Sequence, residues 1–277
     1  APTPYSPVGI RLARRSGTIE LGQLPGLLEG RIEPQDEGSQ LIALLLGAQP
    51  GELVADYCAG AGGKTLALAA AMGNRGRLWA MDIDERRLAS GASRCAKAGV
   101  DNVQRHTIQA GKDQWLKRRK RSFDRVLVDA PCSGVGAWRR NPDARWLRRT
   151  RPLDELLPVQ AEVLRRAATL ARPGGTLVYA TCSLLPDENE RQVDAFLASE
   201  EGAEFAPVPP VELAGFSGLA DLATAAPLLD ARGFMRLTPA RHGCDGFFAA
   251  ALRRREGGWS GRAGARGGSK GRRRRAI

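Results

Sequence analysis

From Pro50 onward, short apolar runs alternate with longer helical stretches, and this alternation constrains the fold more than any other feature of the chain. Strands are expected at Leu53–Tyr57, Arg77–Met81, Val103–Ile108, Phe123–Asp129 and Gly175–Thr181, with helices at Lys64–Met72, Glu85–Ala98, Asp154–Leu170 and Asn189–Leu197. The runs around Val126 and Val178 are apolar on successive residues, as strands buried on both faces are. Strands alternating with helices predict an α/β fold with a doubly wound, mostly parallel sheet covered on both faces. Gly246–Leu252 reads as a late closing strand. Ligands of such sheets bind beyond the carboxyl ends of the strands. The chemistry is therefore sought in the residues that follow each strand.

Both ends of the chain differ from this body. Residues 1–48 are broken by Pro2, Pro4, Pro7, Pro25 and Pro34 and loosened by Gly9, Gly17, Gly22, Gly26 and Gly30. They read as short strands and turns, then a helix near Ser39–Leu46, and are expected to form a small partial N-terminal subdomain. The catalytic domain is expected over 49–255 and a tail over 256–277. The net charge is +12, but from Arg253 on there are nine Arg and one Lys against one Glu, so most of it lies there. A Gly- and Arg-rich tail cannot bury a core and is expected to be disordered. Clustered Arg attracts phosphate-bearing partners.

The 277 residues, 43% of them hydrophobic, suffice for one large domain. No apolar run approaches the roughly 20 residues that span a bilayer, and no basic-then-apolar leader opens the chain. The chain begins at Ala1, as a processed or truncated one would. The five cysteines are odd in number, widely spaced and never in a C-x-x-C pair. Free thiols in a cytoplasmic protein are expected, with no metal site and no disulfide framework. Cys95 and Cys244 read as small buried hydrophobes.

Two cysteines stand in matching settings. Cys132 follows Val126-Leu127-Val128-Asp129-Ala130-Pro131, and Cys182 follows Thr176-Leu177-Val178-Tyr179-Ala180-Thr181. Both thiols should reach the same rim of the sheet, where a thiolate is a strong nucleophile. Upstream, Cys58-Ala59-Gly60-Ala61-Gly62-Gly63-Lys64-Thr65 links a strand to a helix. Cys58 stands where a Walker A loop needs Gly. Thr65 stands where a dinucleotide fingerprint needs its third Gly. What remains is a small-residue turn at a helix amino terminus, open to a close ligand. Asp82, ending the next strand, is placed for ribose hydroxyls, which suits S-adenosylmethionine as well as NAD. A cofactor loop beside two rim thiols suggests methyl transfer to an unreactive ring carbon.

At this point the chain resembles the RNA cytosine-C5 methyltransferases of the Sun/Fmu family (RsmB-like, NOL/NOP/Sun). The matching pieces run in family order over roughly residues 2–254. They are Gln35-Asp36-Glu37-Gly38-Ser39-Gln40, the 58–65 loop, Asp129-Ala130-Pro131-Cys132-Ser133-Gly134, Arg139-Arg140-Asn141-Pro142-Asp143, Tyr179-Ala180-Thr181-Cys182-Ser183, Glu188-Asn189-Glu190 and Asp245-Gly246-Phe247-Phe248. Departures exist: Gly60 and Ala61 replace the usual Ala and Pro, Gln109-Ala110-Gly111 stands where an acid commonly sits near the adenine, and the RNA-binding domain of bacterial members has no counterpart here. The resemblance implies a class I methyltransferase fold with S-adenosylmethionine held by Cys58, Ala59, Gly60, Ala61, Gly62, Gly63, Lys64, Asp82, Arg87 and Asp129. It also implies that residues 1–48 serve RNA recognition.

Cytosine C5 attacks a methyl sulfonium poorly until a thiolate adds to C6, so the reaction requires covalent catalysis. The residues alone leave open which thiol attacks; DNA cytosine methylases use the one in Pro-Cys. The resemblance makes Cys182 the nucleophile and Cys132 the group that assists release. Asp129 would bond the cytosine N3/N4 edge, with the capping of a turn as its structural alternative. Lys64 would bond the base or lower a thiol pKa, although a cation is slightly disfavoured at a helix start. Arg139, Arg140 and Arg145, with Arg148, Arg149 and Arg151, would grip RNA phosphates around a flipped-out base or form a solvated face. Trp138 and Trp146 fit base stacking or burial equally. The expected partner is RNA, ribosomal 16S ahead of transfer RNA, acted on by a monomer. Methylation of another base or of DNA, and a non-catalytic ribosome-assembly role, are the competing readings. Asp129-Ala130-Pro131-Cys132 lacks the aromatic fourth residue of Asp-Pro-Pro-Tyr sites, which argues against methylation of an exocyclic amine, and the intact Cys132, Cys182, Lys64 and Asp129 argue against the non-catalytic role.

Overall fold

The computed structural model describes residues 1–12, 22, 24–146, 151–214 and 228–257. The elements in chain order are α1 (Pro25–Leu28), α2 (Glu37–Leu46), β1 (Leu53–Asp56), α3 (Gly63–Ala71), β2 (Arg77–Asp82), α4 (Glu85–Lys97), β3 (Val103–Thr107), α5 (Gln114–Arg118), β4 (Phe123–Asp129), α6 (Leu153–Ala168), β5 (Ala171–Thr181), α7 (Glu190–Leu197), β6 (Phe205–Pro207), α8 (Pro210–Ala214), β7 (Phe234–Leu237), α9 (Pro239–His242) and β8 (Phe247–Arg254). The sheet runs β3-β2-β1-β4-β5-β8-β6, with β7 also paired to β8. β1 to β5 are mutually parallel; β8 lies antiparallel between β5 and the short pair β6 and β7. This is the Rossmann-like architecture expected from the alternation. The two shortest edge strands carried too few residues to leave a periodic signal.

Strand alternation splits the core into two layers. Val54, Leu127 and Val178 face one side, packed with Leu41, Ile42, Leu45 and Leu46 of α2 and Leu68 of α3. Ala55, Val126, Val128, Leu177 and Tyr179 face the other, packed with Leu164 of α6 and Val193 of α7. Helix α2, which sequence grounds group with the N-terminal segment, thus lies in the core of the sheet. Four of its five large apolar residues are fully buried, all but Leu44, and burying each stabilises the fold by roughly 2 kcal/mol. The N-terminal residues are tied to it: buried Glu37 accepts from the backbone N–H of Tyr5 (2.6 Å) and Ser6 (2.8 Å).

The pairing of β4 with β5 positions the site. Val128 lies opposite Tyr179 and Asp129 opposite Ala180, and Ala130 N–H adds one further bond to Ala180 O (2.8 Å). Pro131 then ends the ladder, because it has no N–H to donate. Beyond it, Gly136 N–H donates to Cys182 O (3.0 Å) and Gly246 N–H to Gly136 O (2.9 Å). The turns after β4 and β5 and the approach to β8 are thereby joined at one glycine. A Cβ on Gly136 would stand 2.1 Å from Gly246 O and 2.9 Å from Cys182 O. Both obstacles are backbone, so Gly136→Ala should destabilise the protein by about 3 kcal/mol through overpacking. Urea unfolding at constant m-value measures this; an unchanged midpoint would show that the junction yields freely.

Candidate active site

The first turn of the site is built on glycine. Gly60 (φ +54°) and Gly62 (φ +84°) occupy the left-handed region, and Gly62 is the N-cap of α3. Ala59 N–H donates to Met81 O (2.9 Å), which keeps the turn against β2. Asp82 organises the rest: Oδ2 accepts from Gly60 N–H (2.8 Å) and Oδ1 from Asp84 N–H (2.9 Å). Asp84 in turn caps α4 through Arg86 N–H and Arg87 N–H. The Arg87 guanidinium lies over Gly60, where a Cβ would meet its Nη2 at 2.5 Å. The loop residues 58–64, Asp82 and Arg87 therefore form one neighbourhood. Burial, joined by the charges of Asp82, Asp129 and Asp56, keeps the Cys58 thiol well above the ordinary range. Cys58 is thus a poor thiolate.

The thiols that follow β4 and β5 meet at the rim. Cys132 Sγ and Cys182 Sγ are 3.4 Å apart. Beside them Lys64 Nζ donates to Asp129 Oδ2 at 2.7 Å, with the lysine side chain 10% and the aspartate 31% exposed. Burial works against the Lys64 ammonium, but the charge and hydrogen bond of Asp129 outweigh it and hold its pKa above the ordinary value. The hydrogen bond from Cys132 holds Cys182 below the ordinary thiol range, against burial and Asp129, with Lys64 acting in the same downward direction. Cys132 is held well above that range by the same contact and by burial. The pair is thus asymmetric, with the surroundings favouring the thiolate at Cys182 over Cys132.

The arginines expected to face RNA have partners within the chain. Arg139 bonds Asp36 (3.3 Å) and Asp245 (3.1 Å), and Arg140 bonds Asp245. Asp245 has no exposed side-chain surface, while both arginines keep about half of theirs. Their inner edges therefore neutralise a buried carboxylate and their outer edges remain available. Arg145 lies in a 3-10 turn, Pro142–Arg145; its side chain, Arg148, Arg149 and residues 258–277 lie outside the described residues. Trp138 is half-buried and Trp146 exposed.

Two acids not singled out from the sequence are part of this centre. Glu188 lies buried beneath both cysteine turns. Asp56, the last residue of β1, is fully buried; its Oδ2 accepts from Thr65 Oγ1 (2.7 Å), whereas its Oδ1 has no hydrogen-bond partner. Its position before the glycine-rich turn was a legible signal, since it is the strand-end residue next to the loop. Glu188 stands in the Glu188-Asn189-Glu190 piece of the family resemblance, but nothing in that piece points to the cysteine turns.

A family model described as 16S rRNA methyltransferase RsmB/F matches residues 43–253. The chain belongs to this family. It is 37% identical over 250 residues to a probable ribosomal RNA small subunit methyltransferase B of Synechocystis, covering 90% of this chain and 53% of that protein. It is 40% identical over 201 residues to the ribosomal RNA small subunit methyltransferase B of Klebsiella pneumoniae, covering 73% and 45%. The chain thus spans about half the length of these relatives. Among solved structures it superposes on NSun6 from Pyrococcus horikoshii with a TM-score of 0.70 and 25% identity, covering 86% of this chain and 56% of that one. That structure was solved with SFG, an analogue of S-adenosylmethionine. RsmB/F proteins are S-adenosylmethionine-dependent methyltransferases with a Rossmann-like fold.

Asp56 makes the stability of this RsmB/F chain pH-dependent. Burial, augmented by Asp129 and Asp82, raises its carboxyl from 3.8 to about 7 against the Thr65 hydrogen bond and Lys64. The folded state then holds the proton more tightly than the unfolded chain. The contribution is fully present below pH 3.8 and is lost as pH rises through about 7. A shift of this size corresponds to roughly 4 kcal/mol. Relative to Asp56→Asn, the wild type should lose stability between pH 5 and pH 8 in thermal melts. Parallel curves would show that Asp56 does not titrate in that window.

Proposed function

We propose that this chain methylates C5 of a cytosine in RNA, 16S ribosomal RNA by family, with Cys182 as the nucleophile. The observation that carries the reading is the thiol pair, 3.4 Å apart, beside the Lys64–Asp129 ion pair. The site residues fit S-adenosylmethionine. Each Asp82 oxygen accepts one backbone N–H and, as a carboxylate oxygen, keeps a second lone pair for a ribose hydroxyl. The left-handed glycines let the chain approach without a Cβ, and the α3 amino terminus favours the ligand carboxylate. Bound there, the cofactor supplies an electrophilic methyl group.

The residues of the chain supply the rest. The Cys182 thiolate adds to C6 of the base, its electron pair forming the C6–S bond while the C5=C6 pair is displaced toward C5, which can then take the methyl group. Asp129, partly exposed at the rim, receives the N3/N4 edge, and Lys64 holds Asp129 in place and favours the thiolate. After transfer C5 gives its proton to solvent water at the rim, the C5–H electron pair reforms the C5=C6 double bond, and the C6–S bond breaks to restore the Cys182 thiolate. Cys132, protonated and hydrogen-bonded to that sulfur, assists this release. The outer edges of Arg139 and Arg140, with residues 1–48, contact the RNA backbone.

Cys182→Ala should abolish methyl incorporation into ribosomal RNA. Cys132→Ala should still attack and transfer, but accumulate a protein–RNA species that survives denaturing electrophoresis. Trapping by Cys182→Ala instead would overturn the assignment and make Cys132 the nucleophile. Asp82→Ala should weaken S-adenosylmethionine binding about tenfold to a hundredfold, the range for hydrogen bonds to a charged group. Calorimetry measures this, and equal affinity would remove Asp82 from the cofactor site.

A further inference from the structure

The ladder between β4 and β5 ends before either thiol, and beyond the Gly136–Cys182 bond a second set of contacts ties the two cysteine turns together. Serines follow both cysteines directly, and both serines bond Glu188. Its Oε1 accepts from Ser133 N–H (2.7 Å) and from Gln160 Nε2 (2.9 Å). Its Oε2 accepts from Ser133 Oγ (2.5 Å) and from Ser183 Oγ. Gln160 Nε2 also reaches Pro131 O (3.0 Å), the residue before Cys132. Glu188 has no exposed surface, and its backbone is fixed from below by Tyr179 Oη, which donates to Glu188 O (2.7 Å). One buried carboxylate thus takes donors from the residue after each thiol, and charge-assisted bonds of this kind are the strong ones.

We infer that Glu188 is the positioning residue that sets the distance between the Cys132 and Cys182 sulfurs. It touches neither substrate nor cofactor and acts only through Ser133 and Ser183. The consequence for catalysis rests on the reading that Cys182 attacks and Cys132 assists release. Loosening Glu188 should then leave attack possible, since Lys64 still favours the Cys182 thiolate, and slow release, which depends on sulfur-to-sulfur proximity. Glu188→Gln can keep the arrangement. Its amide oxygen can serve the two obligate N–H donors, while its NH2 faces hydroxyls able to accept. Glu188→Ala removes the carboxylate from Ser133 N–H and from both serine hydroxyls, and leaves Gln160 Nε2 with Pro131 O alone.

The distance is testable without RNA. Phenylarsine oxide binds two thiols tightly only when both reach one arsenic, and its affinity is read as the difference between each protein and its Cys132→Ala counterpart. Glu188→Ala should weaken this binding by about tenfold or more, as loss of a charge-assisted bond set implies. Glu188→Gln should stay within about threefold of wild type, and the melting temperature identifies any variant that is simply unfolded. If Glu188→Ala does not fold, the Ser133→Ala/Ser183→Ala double variant removes the two hydroxyl ties and should weaken the arsenical in the same direction. Unchanged affinity in whichever of these variants is folded overturns the positioning role. With RNA, Glu188→Ala should accumulate the denaturation-resistant adduct as Cys132→Ala does, and Glu188→Gln should not. If neither Cys132→Ala nor Glu188→Ala traps RNA while the arsenical result holds, the reaction assigned to the thiols fails and the positioning role stands.

Discussion

The site depends on the register between β4 and β5. Because side chains alternate along a strand, a slip of one residue would turn Val126 and Val128 toward the opposite core and carry Asp129 with them. The observed pairing sets Asp129 against Ala180, so each strand delivers its cysteine to the rim shortly after its last ladder bond. Register is fixed from both faces. Leu127 and Val178 are locked into one buried layer, and Val126, Val128, Leu177 and Tyr179 into the other. The positions of the thiols are therefore a consequence of core packing, set by residues that take no part in chemistry.

The same geometry concentrates charge. Three neighbouring strands, β2, β1 and β4, end in Asp82, Asp56 and Asp129, and the cation hydrogen-bonded among them is Lys64. Three carboxylates cannot share a buried rim at equal cost, and each is accommodated differently. Asp82 receives backbone N–H groups, Asp129 receives the ammonium, and Asp56, left with one hydroxyl donor, holds its proton toward neutral pH. A lysine in the first turn of α3 opposes the helix dipole. The short contact with Asp129 offsets that penalty. The ammonium then favours negative charge at Cys182 as well, alongside the Cys132 hydrogen bond and against burial and Asp129.

What was legible in the sequence was what short-range pattern encodes. Continuous apolar runs located β1, β2, β4 and β5 to within a residue or so at their carboxyl ends, where the site residues lie. The small residues of the 58–65 segment identified a ligand turn. Long-range pairing was not legible. Arg139 and Arg140 read as a free basic patch because their partners lie elsewhere in the chain, at Asp36 and Asp245. Helix α2 was grouped with the loose N-terminal segment because the prolines and glycines around it are local signals, whereas its burial against β5 and β8 is not. Glu188 follows a turn like many surface acids, and only the fold places it under two serines that are 50 residues apart in the chain.

The antiparallel strand β8 explains why those distant residues matter. Its pairing with β5 places Phe248 opposite Thr181, so its first residue, Phe247, arrives at the rim rather than at the far edge of the sheet. Phe247 packs where a side chain on Gly38 of α2 would stand, 2.4 Å from its ring, and its ring lies 5.8 Å from Lys64 Nζ. Just before it, Gly246 bonds Gly136 and Asp245 anchors Arg139 and Arg140. The last strand of the sheet thus closes the site that the first strands open. One reversed strand brings α2, the cysteine turns and the basic segment into a single rigid unit. That arrangement matches the chemistry proposed for the site, since a thiol that attacks the ring and a second thiol that assists its release need a defined separation more than they need individual reactivity.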